Sequence, residues 1–330
     1  MPRPQVVITD FVTGSLEPEE KILGDIADVV ALNGFAESEL IGKVEHAAAL
    51  MLYHNLSITR ATIERLTQCR LIVRCGVGID NVDRAFARTR GIPVVNVPDY
   101  GTEDVADSAI GMALALARGI ARHNSQCRAA IGQWHYGDVA PLQRLRGRIF
   151  AIVGLGRIGT ATALRAKALG MDVVFYDPYL PDGCDKALGI RRAESLEELL
   201  RQAYIVSLHC PLTDETRQMI NRQTLALMPN ASYLVNTARG AIVDTAVIPA
   251  AIASGQLAGA AVDVLPHEPP PADDPLIAAW RDPAHPAHYR LIVNPHSAFY
   301  TEQGFLDMRT KGAAAVRRAL TGQPLRNVVN

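Results

Sequence analysis

An apolar run leads directly into three closely spaced glycines at Ile149-Phe-Ala-Ile-Val-Gly154-Leu-Gly156-Arg-Ile-Gly159. The run predicts a buried strand and the residues behind it predict a helix, so the glycines lie in a strand-to-helix turn. Gly154 would permit the tight turn, Gly156 would let the backbone approach a pyrophosphate, and Gly159 would let helix and strand pack closely. Because the first N–H groups of a helix bind anions, the stretch predicts a phosphate-binding turn.

The next strand adds the acid that a dinucleotide site requires. Glycines at this spacing also occur in strand-to-helix turns that bind nothing, so the motif alone is weak. Here the following run, Asp172-Val-Val-Phe-Tyr-Asp177, ends in a carboxylate 18 residues after Gly159. Such a carboxylate accepts hydrogen bonds from both ribose hydroxyls of NAD and repels the 2′-phosphate of NADP. Since no Arg or Lys follows Asp177 directly, the sequence predicts NAD as the cofactor.

Short apolar strands and helical segments alternate along the rest of the chain, a pattern typical of parallel βαβ units. Strands are predicted at 6–9, 47–53, 71–74, 94–97, 149–153, 172–176, 204–208, 232–235, 259–264 and 290–293. Helices are predicted near 18–30, 59–69, 82–90, 157–169, 196–202, 222–227, 245–254 and 301–320, with one long helix from Glu103 to about Ala130. The segment 134–148 is expected to be irregular, and the proline-rich stretch 266–286 is expected to be a loop insertion.

The composition excludes several classes of protein. A length of 330 residues predicts two domains, at about 150 residues per domain. The net charge of −1 argues against nucleic acid or an anionic membrane as a partner. No apolar run approaches the ~20 residues that span a bilayer, and no signal peptide is evident, so we expect a cytoplasmic protein. Five cysteines without a C-x-x-C predict neither a disulfide framework nor a metal site.

Three residues that follow later predicted strands could carry chemistry. They are Arg239, Glu268 and His296, and each alone is of a type that is common in ordinary loops. Arginine offers a planar fork that binds a carboxylate with two hydrogen bonds. Histidine exchanges protons near neutral pH, and a neighbouring glutamate would stabilise its imidazolium form. Together the three suit hydride transfer between a 2-hydroxy acid and a nicotinamide.

Several further segments resemble one protein family. The chain resembles the D-isomer-specific 2-hydroxyacid dehydrogenases, and within them the C-terminal-binding-protein-like branch. The resemblance extends over nearly the whole chain and rests on residues 73–83, 96–107, 154–159, 176–183, 208–213, 236–240 and 295–302.

The resemblance implies a role for each of these motifs. Arg239 would bind the substrate carboxylate, Glu268 would be the acidic partner, and His296 would be the proton donor. The implied substrate contacts are Arg74, Gly76, Val77, Arg239 and Phe299, with Phe299 where the best-known members of the branch carry tryptophan. The implied cofactor contacts are Thr102, Gly154, Gly156, Arg157, Ile158, Gly159, Asp177, Cys210, Pro211, Thr216, Thr237, Ala238 and Asp263. No metal is implied.

The resemblance also implies an architecture and an activity. Residues 1–101 with 298–330 would form a flavodoxin-like substrate-binding domain, and residues 102–297 a Rossmann NAD-binding domain, with the active-site cleft between them. The expected protein is a homodimeric, NAD-dependent oxidoreductase that interconverts a D-2-hydroxy acid and a 2-keto acid. One alternative is an NADH-sensing, corepressor-like binding protein with weak activity. Another is an enzyme for a phosphorylated or sugar-derived acid, for which Arg74 and the loop before His296 leave room.

Overall fold

Two parallel β-sheets organise the protein, one in each of two units. The computed structural model describes residues 3–129, 134–139 and 142–330. The first unit combines Met1–Gly101 with Thr301–Asn330, and the second unit is Thr102–Tyr300. The predicted α/β class with two parallel sheets is confirmed.

The first unit is a five-stranded sheet with strand order β2-β1-β3-β4-β5. Its buried strands carry apolar side chains on both faces, as is typical of a parallel sheet covered by helices. The strands are β1 (Gln5–Ile8), β2 (Asp28–Ala31), β3 (Ala49–Leu52), β4 (Ile72–Arg74) and β5 (Val94–Asn96). The helices are α1 (Glu17–Leu23), α2 (Arg60–Ile63), α3 (Arg84–Thr89) and, at the other end of the chain, α12 (Glu302–Leu320).

The second unit is a seven-stranded parallel sheet with strand order β12-β11-β10-β9-β6-β7-β8. The strands are β6 (Ile149–Val153), β7 (Asp172–Tyr176), β8 (Arg191–Arg192), β9 (Ile205–Leu208), β10 (Ser232–Asn236), β11 (Leu257–Val262) and β12 (Leu291–Val293). The helices are α4 (Thr102–Ala117), α5 (Ile120–Ala129), α6 (Arg157–Ala168), α7 (Cys184–Leu188), α8 (Leu196–Gln202), α9 (Arg222–Leu225), α10 (Ile248–Ala253) and α11 (Pro275–Arg281).

The strand order of the second unit reverses direction beside β6. From β6 the chain proceeds one way to β7 and β8, and the other way through β9 to β12. Ligands of open α/β sheets bind outside the carboxyl ends of the strands at such a reversal. The glycine turn follows β6, so the fold places it at this reversal.

Several predicted elements differ from the structure. The helix predicted at 59–69 is only the single turn α2 (Arg60–Ile63). The helix predicted at 18–30 ends at Leu23, and its remainder overlaps the edge strand β2, whose residues are exposed or only partly buried. The helix predicted from Glu103 to about Ala130 is divided into α4 and α5, because Gly119 adopts a left-handed φ of +65° that no helix continues through. Ala130 itself lies outside the described residues.

The loop predicted at 266–286 contains the helix α11. Asp274 caps this helix by accepting hydrogen bonds from the N–H groups of Leu276 and Ile277, and Pro275 occupies its first turn. Both features are sequence signals for a helix start, and both are visible in Asp274-Pro275. Within the described ranges, no helix is long and apolar enough to cross a membrane.

Candidate active site

The glycine turn is shaped by contacts that only glycine allows. Gly154 has a left-handed φ of +87°, and a Cβ on it would lie 2.7 Å from the backbone nitrogen of Cys210. A Cβ on Gly159 would lie 2.1 Å from the carbonyl oxygen of Gly154. A Cβ on Gly156 would meet no atom within 4 Å, so this glycine faces open space. The turn is therefore tightly packed at Gly154 and Gly159 and open to a ligand at Gly156.

Asp177 is held against the same turn. One carboxylate oxygen accepts a hydrogen bond from the N–H of Leu155 at 3.0 Å, and the other accepts from the N–H of Tyr179 at 3.0 Å. Sequence reasoning found no cation directly after Asp177, but Arg192 on β8 donates a hydrogen bond to its backbone carbonyl. Sequence reasoning could not find this neighbour, because β7 and β8 meet only in the sheet.

The side of the site formed after β10 contains a polar atom without a partner. The Thr237 hydroxyl is buried, and it has no hydrogen-bond partner among the residues that the structure describes. Leaving such an atom buried costs about 1–3 kcal/mol, which a ligand's hydrogen bond would offset. With the open space at Gly156 and the acid at Asp177, this hydroxyl fits a bound dinucleotide.

His296 and Glu268 form a hydrogen-bonded pair, although 28 residues separate them. The Nδ1 of His296 lies 2.7 Å from one Glu268 carboxylate oxygen, and the other oxygen accepts a hydrogen bond from the N–H of Leu265 at 2.8 Å. The side chains of His296 and Glu268 are 21% and 34% exposed, so a small molecule can reach them. Because Nδ1 faces the carboxylate, Nε2 is the atom that can take up or release a proton.

Asp263 fixes the loop that carries His296. It is buried at the end of β11 and accepts hydrogen bonds from the N–H groups of Ser297 at 2.8 Å and Ala298 at 3.0 Å. Burial raises the pKa of Asp263, while these two hydrogen bonds and the nearby His296 oppose the rise. His296 has a left-handed φ of +52°, a conformation that costs roughly 1–3 kcal/mol and often marks functional sites.

Arg239 lies in a turn that Asn236 organises. The Asn236 side chain accepts a hydrogen bond from the N–H of Ala238 at 3.0 Å and donates one to the carbonyl of Arg239 at 2.9 Å. A Cβ on Gly240 would overlap the backbone of Leu265 at 1.9 Å, so this turn packs directly on the segment that leads to Glu268. Sequence reasoning missed Asn236, although an asparagine two residues before a turn is a recognisable signal.

The other predicted contacts occupy the ends of elements in the second unit. Phe299 lies with its ring centroid 6.1 Å from that of His296. Thr216 donates a hydrogen bond to the carbonyl of Pro211 at 2.7 Å. Arg157 and Ile158 begin α6, Thr102 begins α4, and Cys210 lies against Gly154.

The predicted substrate turn belongs to the first unit, where it follows β4. The guanidinium of Arg74 folds over Gly76, so that a Cβ there would lie 1.4 Å from Arg74 Nη1. The N–H of Gly76 donates a hydrogen bond to the carbonyl of Arg74 at 2.8 Å, and Asn96 donates one to the carbonyl of Val77 at 2.8 Å. The described residues contain no cluster of His, Cys, Asp and Glu that could hold a metal ion.

Comparison with known proteins places this chain in a family. Residues 110–298 match the NAD binding domain of the D-isomer specific 2-hydroxyacid dehydrogenases. D-3-phosphoglycerate dehydrogenase of Methanocaldococcus jannaschii is 34% identical over 94% of this chain and 57% of its own length. C-terminal-binding protein 1 of Caenorhabditis elegans is 34% identical over 97% of this chain and 44% of its own length. The chain thus spans about half the length of these curated relatives.

A solved structure extends the similarity over both units. D-lactate dehydrogenase from Aquifex aeolicus, complexed with NAD and lactic acid, superposes with a TM-score of 0.86. It is 25% identical, and the match covers 96% of each chain. The predicted NAD cofactor and the predicted branch are confirmed by these similarities. The chain belongs to the family of D-isomer specific 2-hydroxyacid dehydrogenases.

Proposed function

We propose that the protein is an NAD-dependent dehydrogenase that interconverts a D-2-hydroxy acid and the corresponding 2-keto acid. The observation that carries this proposal is the 2.7 Å hydrogen bond between His296 Nδ1 and Glu268. With Nδ1 bound by Glu268, Nε2 is the ring nitrogen that would exchange a proton with a substrate, and the glycine turn and the unpartnered Thr237 hydroxyl follow strands of the same sheet. A proton-transfer group and a dinucleotide-binding turn at one edge are the two parts that this reaction needs.

In the proposed mechanism His296 exchanges the proton of the substrate hydroxyl. Glu268 holds Nδ1 and stabilises the imidazolium that forms when Nε2 takes up a proton. Arg239 binds the substrate carboxylate through its planar fork. Bound NAD supplies the acceptor or donor of the hydride. Asp263 acts by fixing the loop of His296, because it holds the two N–H groups that follow the histidine.

The cofactor would be held by residues at the carboxyl ends of the strands. The N–H groups at the start of α6 would bind the pyrophosphate, next to the open face of Gly156. Asp177 would accept hydrogen bonds from the ribose hydroxyls, and Thr237 would use its unpartnered hydroxyl. The remaining proposed contacts are Thr102, Arg157, Ile158, Cys210, Pro211, Thr216 and Ala238.

The substitution His296→Asn tests the proposal. Because general acid–base catalysis contributes about 10²–10⁴-fold, kcat for 2-keto acid reduction should fall by at least 100-fold. NADH affinity should change less than threefold, since asparagine leaves the glycine turn intact. The measurement is NADH consumption with a panel of 2-keto acids, accompanied by an NADH titration and an NADPH series. His46→Asn, at an exposed histidine of the first unit, is the matched control.

Two outcomes would contradict the proposal. One is an unchanged kcat in the His296→Asn variant, which would show that the histidine takes no part in the reaction. The other is tight NADH binding by the unsubstituted protein without reduction of any 2-keto acid. That second result would favour the corepressor-like alternative, which the similarity to C-terminal-binding protein 1 also supports.

We also propose that the protein is a cytoplasmic homodimer. The support is the family resemblance, whose members are usually homodimers. Light scattering at micromolar concentration measures the mass directly. A monomeric mass would overturn the proposed assembly.

A further inference from the structure

Four aromatic side chains group together at one edge of the first unit's sheet. Phe11 lies at the centre, with ring centroids 4.4 Å from His54, 5.5 Å from Tyr53 and 5.7 Å from Phe305. We refer to Phe11, Tyr53, His54 and Phe305 as the aromatic cluster. Tyr53 is fully buried beneath the cluster, whereas the other three side chains are partly exposed. The cluster therefore presents aromatic surface at this edge.

The aromatic cluster lies at the same edge as the proposed substrate turn. Phe11 follows β1, and Tyr53 and His54 follow β3, which pairs in parallel with β4. Carboxyl ends of parallel neighbours meet at one edge, so Arg74, the last residue of β4, lies beside the cluster. Asp10 connects the two: it accepts a hydrogen bond from the N–H of Tyr53 at 2.8 Å, and the charge of Arg74 acts on its carboxylate.

Two cations of α12 near this edge are each paired with a carboxylate. Arg309 on α12 binds the buried Glu19 through two hydrogen bonds of 2.7 Å and 2.5 Å. Lys311 pairs with Asp99, which follows β5, at 3.2 Å. Arg309 and Lys311 therefore bring no net positive charge to the edge, and Arg74, folded over Gly76, belongs to the turn that would hold the acid group itself. Phosphate groups are recognised by cations that are not already neutralised by neighbours.

The centre of the aromatic cluster is held in a strained backbone conformation. Phe11 has a left-handed φ of +71°, a region that bulky residues avoid. Strain of this kind persists where a side chain must be aimed at a particular place, and it is frequent at ligand-binding sites. Here the residue in this conformation carries a partly exposed aromatic ring at the edge of the sheet.

We infer that the substrate is a 2-keto or 2-hydroxy acid with a bulky apolar side chain, aryl or branched alkyl, and not a phosphorylated acid. The inference rests on the proposed function, because it takes the turn at Arg74 and Gly76 as the place that holds the acid group. An apolar substituent that extends from this turn along the sheet edge meets the rings of Phe11, His54 and Phe305. Such contacts bury apolar surface and favour aromatic substituents further through ring–ring geometry.

The test compares catalytic efficiencies across acids that differ only in the substituent. The acids are phenylpyruvate and 4-methyl-2-oxopentanoate as apolar probes, glyoxylate as the smallest acid, and 3-phosphohydroxypyruvate as the phosphorylated probe. For the unsubstituted protein, kcat/KM with NADH should be at least tenfold higher for an apolar probe than for glyoxylate and for the phosphorylated probe. Differences of this size are typical of a hydrophobic pocket.

Phe11→Leu and Phe305→Leu locate the preference in the aromatic cluster. Each substitution removes a ring and keeps apolar volume, so the ratio of kcat/KM for phenylpyruvate to that for glyoxylate should fall about tenfold. A merely structural defect would lower both efficiencies equally and leave the ratio constant. Phe35→Leu is the matched control, because Phe35 belongs to the same unit and is 70% exposed. Thermal unfolding of each variant accompanies the kinetics.

Each result decides the inference. A preference for 3-phosphohydroxypyruvate, a preference for glyoxylate, or a constant ratio in both cluster variants would overturn it. If His296-dependent turnover is observed in any of these cases, the proposed function stands and only the substrate class is wrong. If no acid is turned over, or if turnover survives His296→Asn, the proposed function and this inference fail together.

Discussion

His209 is a histidine that the fold keeps uncharged. It follows β9, its Nε2 lies 2.9 Å from the hydroxyl of Ser207, and burial lowers its pKa from 6.5 to about 3. Loss of solvent around the buried ring is the cause, because burial disfavours the charged imidazolium. The residue therefore stays neutral throughout the physiological range, and its ring can share a hydrogen bond with the Ser207 hydroxyl without carrying charge.

This histidine should make stability depend on pH. Below pH 6.5 the unfolded chain protonates His209 while the folded chain, with a pKa of about 3, does not. The stability that the neutral His209 contributes is thus fully present above pH 6.5. As the pH falls from there towards 3, the free energy of unfolding decreases by about 1.4 kcal/mol per pH unit. Urea unfolding at pH 6.5 and 5.5 should show a loss larger by about 1 kcal/mol in the unsubstituted protein than in His209→Gln, because the unfolded histidine is already half protonated at pH 6.5. Equal losses in the two proteins would refute the assignment, and His46→Gln is the exposed control.

At the scale of elements, the glycine turn contains one glycine that helix packing requires, Gly159, and one that only a ligand would require, Gly156. Gly159→Ala places a Cβ 2.1 Å from the carbonyl oxygen of Gly154, so α6 must move away from β6. Gly156→Ala meets no protein atom within 4 Å and would obstruct only a ligand. We expect Gly159→Ala to lower the melting temperature by several degrees, and Gly156→Ala to leave it within about one degree while weakening NADH binding at least tenfold.

Calorimetry and NADH fluorescence titration measure the two effects. A Gly156→Ala variant that binds NADH as tightly as the unsubstituted protein would show that the cofactor does not approach the backbone at residue 156. Gly111→Ala is a useful control, because Gly111 lies in α4 and a Cβ there also meets no atom within 4 Å. It adds the same methyl group away from the turn.

Elements with strong local signals could be predicted to the residue. The strand Ile149–Val153, the strand Asp172–Tyr176 and the helix Leu196–Gln202 have the predicted bounds. The two apolar strands end at Gly154 and Asp177, and Ser195 caps the start of the helix, so the local sequence determines these boundaries. The edge strand β2 could not be found in this way, since its residues are partly exposed and its identity as a strand depends on pairing with β1.

The residue types of the candidate site could be predicted, but their contacts could not. The His296–Glu268 hydrogen bond depends on how the loops after β11 and β12 meet, and on Asp263 fixing one of them. The hydrogen bonds of Asn236, and the lack of one to any described residue at the buried Thr237 hydroxyl, likewise depend on the folded conformation of the turn that surrounds them. Composition indicates which chemistry is available, whereas the register of neighbouring strands decides which groups touch.

At the scale of the whole molecule, an ion pair joins the two ends of the chain within the first unit. Glu19 on α1 is fully buried, and Arg309 on α12, 290 residues later, binds it with nitrogen–oxygen distances of 2.7 Å and 2.5 Å. The same arginine donates to the carbonyl of Ser15. The pair therefore fastens the last helix to the first one.

Glu19→Gln should destabilise the first unit strongly. The substitution removes the counter-charge of Arg309 inside the unit, and breaking a buried pair in this way costs about 3–5 kcal/mol. Thermal unfolding should then show an early transition, which the double substitution Glu19→Gln with Arg309→Met largely reverses. Glu17→Gln, which breaks the exposed pair with Lys21, should hardly change the melting curve. An unshifted curve for Glu19→Gln would mean that the buried pair contributes little.

The division of the first unit between both ends of the chain also sets an order of events during synthesis. β1 to β5 leave the ribosome before the 199 residues of the second unit, and α12 follows only afterwards. Yet α12 packs so closely on this sheet that a Cβ on Gly312 would lie 2.8 Å from the sulfur of Cys75. At about 5–20 residues per second, synthesis of the second unit takes roughly 10–40 s, and the sheet of the first unit lacks α12 for that time. During that interval its apolar face is a substrate for chaperones, and the contiguous second unit is the first part able to complete its core.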